Sequence, residues 1–313
     1  MSEADDLFTS MSEWCAPLLV MSGGEPLVRK DIMELIAHAG ERGLSVALAT
    51  NGTLVNDRIA LALRRAGVRR VSVSLDGACA ATHDRVRGLT GCFDLALRGL
   101  KALRSAGVST QINKTVCRRN MSERDSLFLL AEREGVQAIH MFIFVPVGCG
   151  LLYERDQALS AEEREELLRW FRVHAGGAGR EVRLTCSPQY LRLASESRRS
   201  LPGKASGCLA GKGICFVSHS GDVFPCGYLP IRAGSIREKP LMDIWGESNI
   251  LVSLRNPERL GPPCGECDIR NACGGCRARA YADTGDYMAG DTSCLNPKFQ
   301  ISKANKSQTP HPK

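Results

Sequence analysis

The chain has 313 residues, of which 43% are hydrophobic and 24% charged, with a net charge of +7 and 14 cysteines. That length supplies core volume for one large domain or two ordinary ones, and the balance of apolar and charged residues excludes a disordered chain. No apolar run approaches the ~20 residues of a membrane span, the acidic start lacks a signal-peptide pattern, and the arginines are spread rather than clustered, which argues against membrane and nucleic-acid partners. A basic pocket for an acidic small molecule fits the charge equally well. The expected location is the cytoplasm, where thiols stay reduced, so the cysteines favour metal over disulfides.

A helix is predicted from Asp5 to Trp14, followed by Cys15, most simply a packed thiol. Ala16 to Met21 reads as a buried strand ending at Ser22-Gly23-Gly24. Ile32 to Arg42 is helical, Ser45 to Ala49 is a strand ending at Thr50-Asn51-Gly52, and Arg58 to Ala66 is a helix. Val71 to Leu75 is a strand ending at Asp76-Gly77. Helix Phe93 to Ser105, strand Gln111 to Val116, helix Ser126 to Glu134, strand Ile139 to Val145 and helix Ala161 to Val173 continue the alternation. Strands separated by helices imply parallel βα units with right-handed crossovers. In such folds the chemistry gathers at the C-terminal ends of the strands. Gly23-Gly24-Glu25-Pro26, Thr50-Asn51-Gly52, Ser74-Leu75-Asp76-Gly77, Asn113 and Pro146-Val147-Gly148 all stand there. Each alone is ordinary turn chemistry; their joint placement on one face points to a ligand site.

After Gly176-Gly177 the character changes. Phe216 to Phe224 reads as a hairpin around Ser220-Gly221-Asp222, and Leu241 to Leu254 as one helix. This region holds eight cysteines: Cys208, Cys215, Cys226, Cys264, Cys267, Cys273, Cys276 and Cys294. Cys264-Gly-Glu-Cys267 and Cys273-Gly-Gly-Cys276 each place two thiolates on one turn. Eight thiolates match two four-iron clusters at one thiolate per iron, and would also serve closed zinc sites. The expected divisions are 1–178, 179–298 and a polar tail, 299–313, expected to be disordered.

Gly23-Gly24-Glu25-Pro26-Leu27 after an apolar strand resembles the second-strand motif of radical S-adenosylmethionine (SAM) enzymes. The resemblance implies a partial parallel βα (TIM-like) barrel lacking its first unit, in which this segment meets the methionine amino group of SAM. Glycines let a backbone approach a ligand, and Glu25 can accept a charge-assisted bond from an ammonium. Thr50, Asn51, Ser74 and Asp76 match the ends of the next strands in type, and Asn113 and Val145 resemble the later SAM-lining positions. The cysteine region resembles the SPASM domain, which implies two auxiliary four-iron clusters. By that analogy Cys208, Cys215, Cys226 and Cys276 hold one, and Cys264, Cys267, Cys273 and Cys294 the other. The spacing from Cys273 to Cys276 is one residue shorter than is common in that domain. Cys208 to His219, Val223 to Pro230 and Cys276 to Tyr281 are similar to heme synthases of the siroheme-dependent pathway. The resemblance therefore implies oxidative decarboxylation of iron-coproporphyrin III propionates, a tetrapyrrole substrate, and an electron donor such as ferredoxin or flavodoxin. Rival readings are a peptide-modifying maturase and a non-enzymatic iron–sulfur electron carrier.

The Cys-x-x-x-Cys-x-x-Cys triplet that holds the SAM cluster in that family does not occur among these residues. The first strand and its cluster loop are expected to be missing, and residues 1–313 alone are expected not to form the deoxyadenosyl radical. An open barrel edge would also expose unpaired backbone groups. Arg277 and Arg279 read either as forks for substrate propionates or as a solvated basic loop. His219 reads as an axial heme ligand or a surface turn residue. Cys149 is better placed at the open barrel face than Cys79, Cys92 or Cys117. His83 and Arg87 are expected to order the loop after the fourth strand.

Overall fold

Short apolar strands separated by amphipathic helices bury both kinds of element when the strands form one parallel sheet with helices on its outer face. The computed structural model, which describes residues 2–14, 18–152, 155–174, 179–196 and 207–296, has that architecture. Cys15, the Gly176-Gly177 junction, the polar tail and the side chain of Cys149 lie outside the described residues. In chain order come α1 (Ser2–Ser12), β1 (Leu18–Met21), α2 (Ile32–Glu41), β2 (Ser45–Thr50), α3 (Asp57–Arg65), β3 (Arg70–Ser74), α4 (Ala80–Arg87) and α5 (Cys92–Ser105). Then follow β4 (Ser109–Val116), α6 (Arg124–Arg133), β5 (Ala138–Ile143), α7 (Ala161–His174), β6 (Glu181–Thr185) and α8 (Tyr190–Glu196). The six strands pair in sequence order, all parallel.

Period-two alternation splits each strand between two environments. Val71, Val73, Ile112, Ile139 and Met141 are fully buried in the core, together with Leu63, Leu100, Leu103 and Leu127 from the helices. The opposite face carries Arg70, Gln111, His140, Glu181 and Arg183. Arg70 Nη1 donates to Glu181 Oε2 at 2.7 Å, from β3 to β6. Three strand spacings in a flat sheet amount to about 14 Å, too far for this bond, so it reports the curl of the sheet into a half-barrel. Arg183 Nε reaches the other Glu181 oxygen at 2.5 Å. The Arg70 bond, above all, draws the Glu181 carboxyl down to about 2. These groups open their strands, so they form a polar floor at the end opposite the Gly23, Thr50 and Asp76 loops.

Helix α4 and strand β6 were among the elements not legible in the sequence. Helix α4 buries only His83, so it has no apolar stripe to read. Strand β6 alternates Glu181 and Arg183 with Val182 and Leu184 because one face meets the polar floor. It lies beyond the junction expected at 178 and continues the sheet, so the half-barrel extends through Thr185. Strand β5 stops at Ile143, leaving Val145 past its end.

The cysteine-rich part contains a small antiparallel sheet of β7 (Phe216–Val217), β8 (Asp222–Phe224) and β9 (Gly234–Ser235). The expected hairpin is present, turning at Gly221 with φ 85°. The single helix expected over Leu241 to Leu254 is instead α9 (Leu241–Glu247) and α10 (Asn249–Arg255), because Ser248 is extended with ψ 118°. Helix α11 (Arg277–Thr284) starts directly after Cys276. Among the described residues, no helix is long and apolar enough to cross a membrane.

Candidate cofactor and cluster sites

The loops after β1 and β2 meet through Glu25. Its Oε1 accepts from Leu27 N at 3.1 Å and Thr50 Oγ1 at 2.7 Å, and its Oε2 accepts from Asn51 N at 2.7 Å. A carboxylate offers about four acceptor positions, so Oε2 keeps one to spare. Gly23 has φ 146°, and nothing lies within 4 Å of where a Cβ would stand at Gly23 or Gly24. The result is an open backbone cradle beside a fixed carboxylate. Asn51 Oδ1 is taken up by Thr53 N and Oγ1 at 2.8 and 2.7 Å. At Gly52, φ is 81° and a Cβ would meet Val73 Cγ1 at 2.7 Å, so this turn tolerates only glycine.

Asp76 is nearly inaccessible, and each of its oxygens has a partner. Oδ1 accepts from Thr115 N at 2.7 Å and Oδ2 pairs with Arg87 Nε at 2.7 Å. Its backbone N–H donates to His83 Nδ1 at 3.0 Å. Burial keeps that histidine's pKa down, consistent with an accepting, neutral ring. His83 and Arg87 thus order the loop as expected. Asn120 Nδ2 donates to the carbonyls of Asp76 and Thr115, both at 2.8 Å. Behind this knot, fully buried Lys114 donates to Asn120 O at 2.9 Å. Burial lowers its ammonium to about 8 against the pull of Glu123 and Asp76. Asp76 therefore serves as a strut between β3 and β4. Lys114 and Asn120 were passed over in the sequence; the only signal was a lysine inside an apolar strand.

Ser74 stands opposite Asn113 in the β3–β4 register, and Asn113 Oδ1 accepts from Gln111 Nε2 at 2.6 Å. Val145 is buried against Leu229, Leu254, Cys276 and Ala278. It joins the barrel mouth to the cysteine-rich part, as does the Phe142–Tyr228 ring contact at 6.3 Å.

The cysteines fall into two groups. Cys264, Cys267, Cys273 and Cys294 line one solvent-open recess of about 400 Å³, with Asp291 and Arg270 beside them. Four thiols around one hollow are the donor set of a four-iron cluster. Among the described residues no three Cys, His, Asp or Glu side chains close on a single point, as a closed zinc site requires. In the second group, Cys226 and Cys186 pack against the buried cluster that contains Cys276, and Cys208 is within electrostatic reach of Cys276. Interaction with Cys186 and with Arg279 beside it favours the thiolate on Cys276 and the proton on Cys186. Cys186 was not among the eight cysteines singled out in the sequence. Cys215 packs against the large core cluster, as Cys186 also does, and burial raises its thiol to about 11.

Arg279 and Asp291 link the two groups. Arg279 Nε and Nη2 pair with the two Asp291 oxygens at 3.1 and 2.8 Å. Cys276 N donates to Asp291 Oδ2 at 2.8 Å, and Asp291 N donates to Cys264 Sγ at 3.2 Å. Burial opposes both charges, yet each holds its partner ionised: the Asp291 carboxyl lies well below its usual range and Arg279 above its own. Arg277 donates to the Tyr287 and Ala289 carbonyls at 3.0 and 2.6 Å. Both arginines are buried, so they are neither a substrate clamp nor a solvated loop; they are internal ties. His219 is exposed on the hairpin turn, Cys79 is exposed, and Cys92 and Cys117 are buried.

Residues 2–130 match the radical SAM superfamily, and residues 208–268 match the iron–sulfur cluster-binding SPASM domain. Over 304 residues, 94% of this chain and 86% of the relative, the sequence is 41% identical to an AdoMet-dependent heme synthase of Methanosarcina barkeri. Identity to an Fe-coproporphyrin III synthase of the same organism is 31%, over 96% of this chain and 80% of that protein. Among solved structures, Streptococcus suis SuiB bound to its precursor peptide SuiA superposes with a TM-score of 0.74 at 15% identity. That match covers 94% of this chain and 69% of SuiB, and at that identity it speaks for the fold alone.

Proposed function

This chain belongs to the radical SAM superfamily in its SPASM-bearing form, and from that premise we propose that it acts in converting iron-coproporphyrin III propionates to vinyl groups by oxidative decarboxylation. The observation that carries this reading is the 41% identity to a heme synthase through barrel and cysteine-rich part alike. The peptide-modifying alternative has weaker support, with 29% identity to a PqqA peptide cyclase of Granulibacter bethesdensis over 90% of this chain.

In this reading Gly23, Gly24, Glu25 and Pro26 hold the methionine end of SAM, with Thr50, Asn51, Ser74, Asn113 and Val145 around the rest. The open space at the two glycines and the spare Oε2 acceptor position fit an ammonium group there. Asp76, with both oxygens engaged, contributes by fixing the shape of its loop. When bound, SAM supplies hydrogen-atom abstraction and the auxiliary clusters supply one-electron transfer, with reducing power from a carrier such as ferredoxin or flavodoxin. Val145 and Cys276 belong to one buried apolar cluster between the barrel mouth and the cysteine-rich part.

Two measurements test the assignment. Glu25→Gln removes the charge while keeping the side-chain size, and a charge-assisted bond is worth about 1.5–3 kcal/mol. SAM affinity by equilibrium dialysis should therefore fall roughly ten- to hundred-fold; unchanged affinity rules Glu25 out as the ammonium's partner. Titrating the anaerobically reconstituted protein with iron-coproporphyrin III should shift the Soret band and saturate at one tetrapyrrole per chain. No spectral change with both clusters present defeats the tetrapyrrole reading.

A further inference from the structure

We propose that Cys186 is an iron ligand of the cluster nearer the barrel, completing a set with Cys208, Cys226 and Cys276 and leaving Cys215 outside it. The inference rests on the reading of this region as a four-iron site and concerns which thiols make it.

The first observation is contact. Cys186 follows the last residue of β6, at the mouth of the half-barrel, and lies within electrostatic reach of Cys276. Cys186 and Cys226 pack against the same buried group as Cys276. Cys208 and Cys226 also lie within electrostatic reach of each other and of Cys276. Cys215 packs on the large core cluster alone, whereas Cys186 packs both on that cluster and on the one that contains Cys276.

The second observation is the backbone. Among the described residues, Cys186 is the only non-glycine residue with positive φ, at 61°. L side chains rarely adopt this conformation, and glycine would turn the chain there without strain. Arg279 Nη1 donates to the Cys186 carbonyl at 2.9 Å and holds the turn. The same guanidinium pairs with Asp291, which accepts from the backbone N–H of Cys276. One buried arginine thus fixes the positions of Cys186 and Cys276 relative to each other. A local strain over-determined by its surroundings marks a working position, and here the work is to present a thiol. Coordination would release the Cys186 proton and exchange the S–H bond for an iron–sulfur bond.

The test is anaerobic reconstitution of the full chain with iron and sulfide, read by metal and sulfide analysis and by EPR of the reduced protein. Wild type should hold about eight irons. Cys186→Ala should lose about four, or keep them with an altered signal, while the cluster of Cys264, Cys267, Cys273 and Cys294 stays as the internal check of folding. Cys215→Ala should keep the wild-type count and spectrum. If Cys186→Ala loses both signals, Cys186→Asp decides: an oxygen ligand retains iron and shifts one signal, and an unshifted spectrum overturns the proposal. A wild-type spectrum in Cys186→Ala, or loss of four irons in Cys215→Ala alone, also overturns it. Wild-type protein that takes up zinc and no sulfide overturns the cluster reading itself, and this inference with it.

Discussion

Asp291→Ala is expected to cost the protein both cysteine sites at once, a larger effect than any single cysteine substitution. Asp291 has no exposed surface, pairs with Arg279 through both oxygens, and also accepts from Gln189 Nε2, Ser293 Oγ and the Cys276 backbone. Its own amide donates to Cys264. Removing one member of a buried ion pair strands the other charge and costs about 3–5 kcal/mol. The stranded group here is Arg279, which also holds the Cys186 carbonyl. Reconstituted iron in the variant should fall from about eight toward zero, with a lowered thermal midpoint for the apo chain. Retention of either cluster at full occupancy would show that Asp291 does not couple the two sites. The pH dependence has a definite sign. The folded carboxyl is held below its ordinary value, so its contribution is fully present above the unfolded pKa of about 3.9. It is lost as pH falls through the folded value. The stability gap between wild type and Asp291→Ala should therefore be full at neutral pH and narrow as pH falls through the folded value.

Cys273→Ala and Cys276→Ala are expected to damage different clusters, although only Gly274 and Gly275 separate the two cysteines. Cys273 lines the recess with Cys264, Cys267 and Cys294, whereas Cys276 belongs to the buried cluster on which Cys186 and Cys226 pack. The two glycines make the divergence possible, with φ of 68° and 63°. At Gly275 a Cβ would meet Arg277 Nη2, Asp291 Cβ and Cys264 Sγ at 2.7–2.8 Å. The chain is tightly packed at this turn between the two thiols. Each variant should lose about four irons of eight and a distinct EPR component. If both lose the same component and keep the other, the division of thiols is wrong.

The parallel half-barrel, the order of most of its strands and the hairpin were written in the sequence, because period and turn residues are local signals. Strand β6 and helix α4 were not, since their patterning answers to a polar floor and a loop rather than to the core. The same limit applied to function. Glu25 was legible as a motif, but that its carboxylate is bound by Thr50 and Asn51 follows only from the β1–β2 register. Arg279 read equally as a surface fork or a substrate clamp until burial and Asp291 gave it an internal role. Cys186 carries no spacing signal, and the arginine that holds it lies 93 positions away. Sequence determined which groups are available, because composition and period belong to the chain; tertiary structure decided which of them are spent on one another, because pairing across such separations exists only once the half-barrel has closed on the cysteine-rich part.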